Sequence, residues 1–278
     1  MSTLKTQKSK IGGQDTDNTD TPFFGFAWDR QSCWIDSSLM ALFYPDKLYA
    51  ITYPLVANAS RHNDVHDIMD TLQTTIHEIR TPDMTPSLHN LRRKLANRFA
   101  SAESAPRVQK DAFQLENQFG YVFYFVQELL HIMHVPPLIM RNKMTGERKS
   151  EWILEIEHCD TTTPIEQCLA QNYINWEIET DMTHLFIELV ANTVHPDEHI
   201  QFNGKKWELT SMVVFDCSHF ISYLKQKDTW YLYDDTRSLA HISLTPYEFG
   251  KFYTKGNGCR FQYGVQNTFF FYVVCDGN

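Results

Sequence analysis

Apolar residues in the first half of the chain recur at helical spacing, whereas in the second half they alternate or gather in short runs. Leu39, Met40, Leu42 and Phe43 predict a helix within Ser37 to Leu48. Val65, Ile68, Met69, Leu72 and Ile76 line one face of a second, over Val65 to Ile79. Pro86 opens a third over 86–99, striped by Leu88, Leu91, Leu95 and Phe99. A fourth, Val122 to Met133, should stop ahead of Pro136-Pro137, because the residue before a proline is pushed out of helical geometry.

From residue 137 the period shortens. Pro137 to Met144 and Glu151 to Glu157 flank a Thr145-Gly146 turn and predict a hairpin. Thr163-Pro164 reads as an N-cap and first helical position for a short helix, Ile165 to Tyr173. Strands are predicted at Leu185–Val190, at Lys206–Phe215 after an Asn203-Gly204 turn, and at His219–Leu224, Thr229–Tyr233 and Thr268–Val274. Helices followed by strands predict an α+β fold, with a helical lobe at about 33–134 against an antiparallel sheet lobe at about 137–278. Residues 1–20 are polar and lack aromatics, as a flexible tail would. No linker or repeat divides 21–278, which reads as a single domain.

Hydrophobic residues make up 42% of the 278, enough to pack a core of that size. A formal net charge of -9 repels a phosphate backbone, so nucleic acid is not an expected partner. No apolar run approaches the roughly 18 residues of a membrane span, and the N-terminus has no apolar stretch after its lysines. No membrane association is expected. Six cysteines without a secretory signal read as reduced thiols of a cytosolic or nuclear protein.

Two segments carry chemistry. Gln31-Ser32-Cys33-Trp34-Ile35-Asp36-Ser37 places a thiol just ahead of a predicted helix, whose positive end favours thiolate. Taken alone, Cys33 reads equally as a small buried hydrophobe. The second segment, from Ser218, forms two strands joined by a turn at Lys225–Asp228. His219 opens the first strand and Asp234-Asp235 close the second. An imidazole–carboxylate bond there would fix the tautomer and leave the other ring nitrogen for a thiol. The order Cys33, His219, Asp234 is that of papain-like cysteine proteases.

These segments resemble the ubiquitin-specific proteases, the papain-like deubiquitinases, from about residue 22 to the C-terminus. Gln31 to Ser37 stands where that family reads G-N-T-C-Y-M-N-S. Ser218-His219-Phe220-Ile221-Ser222-Tyr223 and Trp230-Tyr231-Leu232-Tyr233-Asp234-Asp235 match G-H-Y-x-A-Y and W-Y-x-F-D-D. Gln109 to Leu115 is similar to Q-Q-D-A-x-E-F, Lys206 to Val213 to the strand before the histidine, and Phe269 to Val274 to the closing strand. The resemblance implies a papain-like fold, a helical thumb on an antiparallel palm. It also implies a Cys33-His219-Asp234 triad that hydrolyses the bond after the C-terminal glycine of ubiquitin. Asp111 would then face the modifier's basic tail, although a helix-start aspartate reads equally as an N-cap.

The chain also departs from the family. Trp28, with Asp29 beside it, stands where an oxyanion-binding asparagine is usual, so the oxyanion hole falls to the Cys33 backbone N–H and Gln31. Gln31 reads equally as an ordinary loop residue. The paired C-x-x-C spacings of zinc-bearing fingers are absent, which implies reduced fingers, no metal and no cofactor. His62 and His66, spaced i, i+4, read as a solvated helix face. Trp34 and Asp36 are similar to the C-W-L-D of a SUMO-specific relative, so a SUMO or other ubiquitin-like isopeptidase is one alternative. Others are a catalytically silent ubiquitin-binding module, a polypeptide-cleaving protease and an acyltransferase. A monomer is expected, and the compact size resembles cysteine proteases of large DNA viruses or other intracellular parasites.

Overall fold

A large twisted sheet, covered on both faces, carries the architecture. The computed structural model describes Phe26, Met84, Pro86 and residues 32–81, 88–101, 122–157, 163–189, 197–216, 219–236, 245–247 and 268–275. Helices α1 (Cys33–Phe43), α2 (Asp46–Ala59), α3 (His66–Arg80), α4 (His89–Ser101) and α5 (Val122–Ile132) come first. Then follow β1 (Leu138–Asn142), β2 (Arg148–Glu151), β3 (Leu154–Ile156), α6 (Ile165–Asn172), β4 (Trp176–Ile178) and β5 (His184–Leu189). The rest is strand: β6 (His199–Phe202), β7 (Lys205–Asp216), β8 (His219–Gln226), β9 (Thr229–Tyr233), β10 (Thr245–Tyr247) and β11 (Thr268–Val274). The α+β expectation is borne out.

The large sheet has the order β10-β9-β8-β7-β11-β5-β3, with β6 paired to β7, while β2-β1-β4 forms a small separate sheet. Alternation along β11 shows how the sheet divides the core. Phe269, Phe271 and Val273 pack with the first five helices, and Phe270 and Tyr272 pack on the opposite face with α6 and Trp207.

Helix α1 lies directly on β7 and β8, and all its residues are buried. Buried serines fix its position. Ser37 Oγ donates to the Phe220 carbonyl at 3.0 Å, Ser222 Oγ donates to the Ser37 carbonyl at 2.8 Å, and Ser211 Oγ donates to the Ala41 carbonyl at 2.7 Å. Small hydroxyl-bearing residues let the helix backbone approach the strands and give the buried oxygens a donor. Trp34 packs edge-on against Phe125 of α5, at 5.5 Å between rings, and holds the other side of α1.

The structure differs from the sequence reading in several places. The helix predicted over 37–48 is two helices that meet at Tyr44-Pro45. Arg80 of α3 fills the joint. Its guanidinium donates to the Phe43 and Tyr44 carbonyls, pairs with Asp46 and lies 4.0 Å over the Tyr49 ring. Helix α2 itself was not predicted, because Pro54 removes a helical donor. The helix tolerates it on its exposed side while Leu48, Thr52, Val56 and Ala59 are buried. The predicted hairpin keeps its turn, but β1 pairs with β2, whereas Leu154–Ile156 leaves for the large sheet and runs parallel to β5. Pro164, not Thr163, is the N-cap of α6. His62 lies in the turn before α3 and His66 at its start, so the two do not share a helix face.

The reading of every cysteine as a reduced thiol also fails. Cys168 is disulfide-bonded, to a partner outside the described residues, while Cys33 and Cys275 are free. Whether two sulfurs meet is decided by folding.

Ser222→Ala is expected to cost about 1 kcal/mol from the lost buried hydrogen bond, and Ser222→Leu about 1–3 kcal/mol from overpacking against α1. Urea unfolding of the two variants checks the order.

Candidate active site

Cys33 opens α1, and Ser32 is the N-cap residue whose carbonyl accepts the N–H groups of Ile35 and Asp36 at 2.8 and 3.0 Å. His219 opens β8 beneath this helix end, and Asp234 and Asp235 directly follow β9. Strands β8 and β9 pair from Gln226↔Thr229 to Ser222↔Tyr233 around a two-residue Lys227-Asp228 turn, tighter than the predicted one. That register carries the carboxyls back to the histidine, and the serine bonds from α1 bring the thiol over it.

The three predicted triad residues meet. His219 Nε2 donates to Asp234 Oδ1 at 3.0 Å, and the imidazole also interacts with the Cys33 side chain. With Nε2 on the carboxylate, Nδ1 is the nitrogen left for sulfur. Asp234 Oδ1 accepts the Thr236 hydroxyl at 2.6 Å and its backbone N–H at 3.1 Å. Burial penalises the Asp234 anion, but hydrogen bonds from His219 and Thr236 outweigh that and hold its carboxyl well below the usual range. Burial likewise opposes the His219 cation. Its hydrogen bond to Asp234 and its contacts with Asp235 and Cys33 win, and the imidazole is pushed up from 6.5 to about 11. Chemically, this is a sulfur beside an imidazole stabilised in its cationic form.

A second layer lies beneath, which the sequence reading did not assign. Asp235 Oδ1 stands 3.1 Å from the same Nε2, so both adjacent aspartates face the ring. Asp36, one turn into α1, is fully buried, accepts the Ser32 hydroxyl at 2.6 Å and contacts Asp235. Arg92 of α4 places Nη2 3.6 Å from Asp36 Oδ1, and the buried Tyr233 hydroxyl donates to the Phe26 carbonyl at 3.1 Å. The Asp234-Asp235 doublet was visible in sequence. Nothing local flagged Arg92.

Gln31, Asp111, Trp28 and Asp29 lie outside the described residues. Two groups among the described residues have metal-ligand geometry: His219-Asp234-Asp235 and His199-Glu208-Cys275. In the first, Nε2 is engaged as a hydrogen-bond donor to Asp234. In the second, Glu208 is already paired with Lys47 and Lys225, which oppose a cation.

No family model and no curated protein matches the chain. Solved structures do match. The SAGA Ubp8/Sgf11/Sus1/Sgf73 DUB module bound to ubiquitin aldehyde superposes with a TM-score of 0.60 at 11% identity, over 95% of this chain and 72% of that one. The Saccharomyces cerevisiae apo Pan2 pseudoubiquitin hydrolase-RNA exonuclease module gives 0.62 at 10% identity, over 96% of this chain and 56% of that one. An essential yeast splicing factor gives 0.56 at 12%, over 92% and 70%. The fold is therefore the α+β fold of these ubiquitin-hydrolase structures, with the N-terminal helices packed on a largely antiparallel sheet.

The folded His219 pKa exceeds its unfolded value. The stability it supplies is therefore complete below pH 6.5 and lost as pH rises through about 11. Asp234→Asn is expected to lower the His219 pKa by about one pH unit or more, read from the imidazole 15N shifts in an NMR titration. An unchanged titration in that variant would assign the bond to Asp235.

Proposed function

We propose that the protein is a thiol-dependent deubiquitinase that uses Cys33 as nucleophile, His219 as base and then acid, and Asp234 to orient the imidazole. The observation that carries this reading is the Cys33 side chain, the His219 imidazole and the Asp234 carboxylate brought together, with His219 hydrogen-bonded to Asp234 and interacting with Cys33, on a fold shared with a DUB module bound to ubiquitin aldehyde. The fold by itself does not decide activity, since a pseudoubiquitin hydrolase shares it.

The proton of Cys33 moves to His219, and the thiolate adds to the carbonyl carbon that ends the modifier. The oxyanion that forms lies at the start of α1, where backbone N–H groups point out of the helix, with Gln31 as the proposed side-chain donor. His219 then gives its proton to the departing amine as the C–N bond breaks, leaving a thioester. Water, deprotonated by His219, adds to the thioester and releases Cys33. Asp234 stabilises the imidazolium in both halves and fixes Nε2–H, so that Nδ1 faces the sulfur. Asp111 is proposed to face the basic tail of the modifier, and no metal or cofactor takes part in these steps.

Ubiquitin bearing a C-terminal electrophile is expected to form a covalent adduct that Cys33→Ala abolishes while ubiquitin binding persists. Labelling by a SUMO probe alone would assign the other modifier, and binding without labelling would mark a silent module. Asp234→Asn should lower turnover by about 100-fold or more by releasing the tautomer. An adduct that survives Cys33→Ala would overturn the assignment of the nucleophile.

A further inference from the structure

The Asp36 and Asp235 carboxyls meet in a buried layer where three of their four oxygens accept no aligned hydrogen bond. Both side chains are fully buried and in contact. Ionised carboxylates only accept hydrogen bonds. Asp36 Oδ2 takes the Ser32 hydroxyl, but Asp36 Oδ1 and both Asp235 oxygens accept no aligned hydrogen bond. The His219 approach to Asp235 Oδ1 at 3.1 Å is an ion-pair contact, because Nε2–H is directed at Asp234. A buried acceptor without a donor is destabilising, and more so when it is charged. One proton between the two carboxyls supplies the missing donor.

We propose that Asp36 is a positioning residue for His219: it carries a proton and donates it to Asp235, which thereby stands as a fixed anion beside Nε2. This rests on the reading of Cys33 and His219 as the hydrolytic pair.

Charge balance favours the same arrangement. The Cys33-His219 couple is neutral whichever member holds its proton. Beside it lie Asp36, Asp234 and Asp235, opposed within the buried layer by Arg92. Among the described residues, the fully ionised layer would hold two negative charges beyond the one Arg92 offsets; a proton on Asp36 removes one. Among the described residues, the groups facing Asp36 are Ser32 of its own turn, Arg92 from α4, and Tyr233 and Asp235 at and just past the end of β9. Burial raises the Asp36 pKa well above its ordinary value, and Asp235 adds to that, while Arg92 and Ser32 oppose it. Burial and the neighbouring carboxylates raise Tyr233 in turn, so its hydroxyl stays neutral and on the Phe26 carbonyl.

The sign of the pH dependence tests this directly. An Asp36 that is protonated when folded and ionised when unfolded loses stability for the native protein as pH rises above its ordinary 3.8. Asparagine donates a comparable bond and never ionises. Thermal midpoints of the native protein and Asp36→Asn are therefore expected to separate in favour of the variant, increasingly from about pH 5 to about pH 8. A gap that is constant with pH, or that grows in favour of the native protein, would overturn the proposal, the latter by showing an ionised Asp36 paired with Arg92.

With the ubiquitin substrate, Asp36→Ala should lower kcat by about tenfold or more with little change in KM, and Asp36→Asn should recover most of that loss. An asparagine variant as slow as the alanine variant counts against the proposal. If the native protein shows no turnover, the hydrolase reading fails, and the unfolding comparison still decides the protonation of Asp36.

Discussion

Everything at the site depends on how closely α1 can lie on β8. The two elements are separated by more than 180 residues of chain along their contacts, yet Ser37 donates to the Phe220 carbonyl and Ser222 donates back to the Ser37 carbonyl. Each bond uses a backbone carbonyl of the opposite element, so the pairing fixes translation as well as distance. A helix start and a strand start are thereby held one above the other, and a sulfur and an imidazole come within interaction range. Larger apolar residues at these positions would bury more surface but would move the helix away from the strand.

The proposed chemistry uses this rigidity. His219 faces two carboxylates on its Nε2 side and a sulfur as its other polar neighbour, a strongly polarised environment that is largely withdrawn from water. Asp234 is served by Thr236 and remains anionic, whereas Asp235 lies deeper, against Asp36 and the Arg92 end of the layer. Two adjacent aspartates in sequence thus meet different environments. The outer one is solvated by hydroxyl and backbone donors; the inner one must share what the protein interior provides.

Likeness to solved structures at 10–12% identity reflects architecture more than sequence. Architecture of this kind hosts a module bound to ubiquitin aldehyde and a pseudohydrolase alike. The case for activity therefore rests on side chains: a thiol, an imidazole and a carboxylate brought together at one site.

Local pattern by itself gave the α+β class, most helices and strands, and the three residues that meet at the site, because amphipathic period and residue chemistry are properties of short segments. It misjudged α2, where an exposed proline masks a helix that tertiary packing sustains, and it joined Leu154–Ile156 to a hairpin when the strand belongs to another sheet. Strand partners, the Cys168 disulfide and the burial of Asp36 beside Asp235 and Arg92 were decided only in three dimensions. Those outcomes depend on which distant groups share a dry space, and that is a property of the packed chain rather than of any window along it.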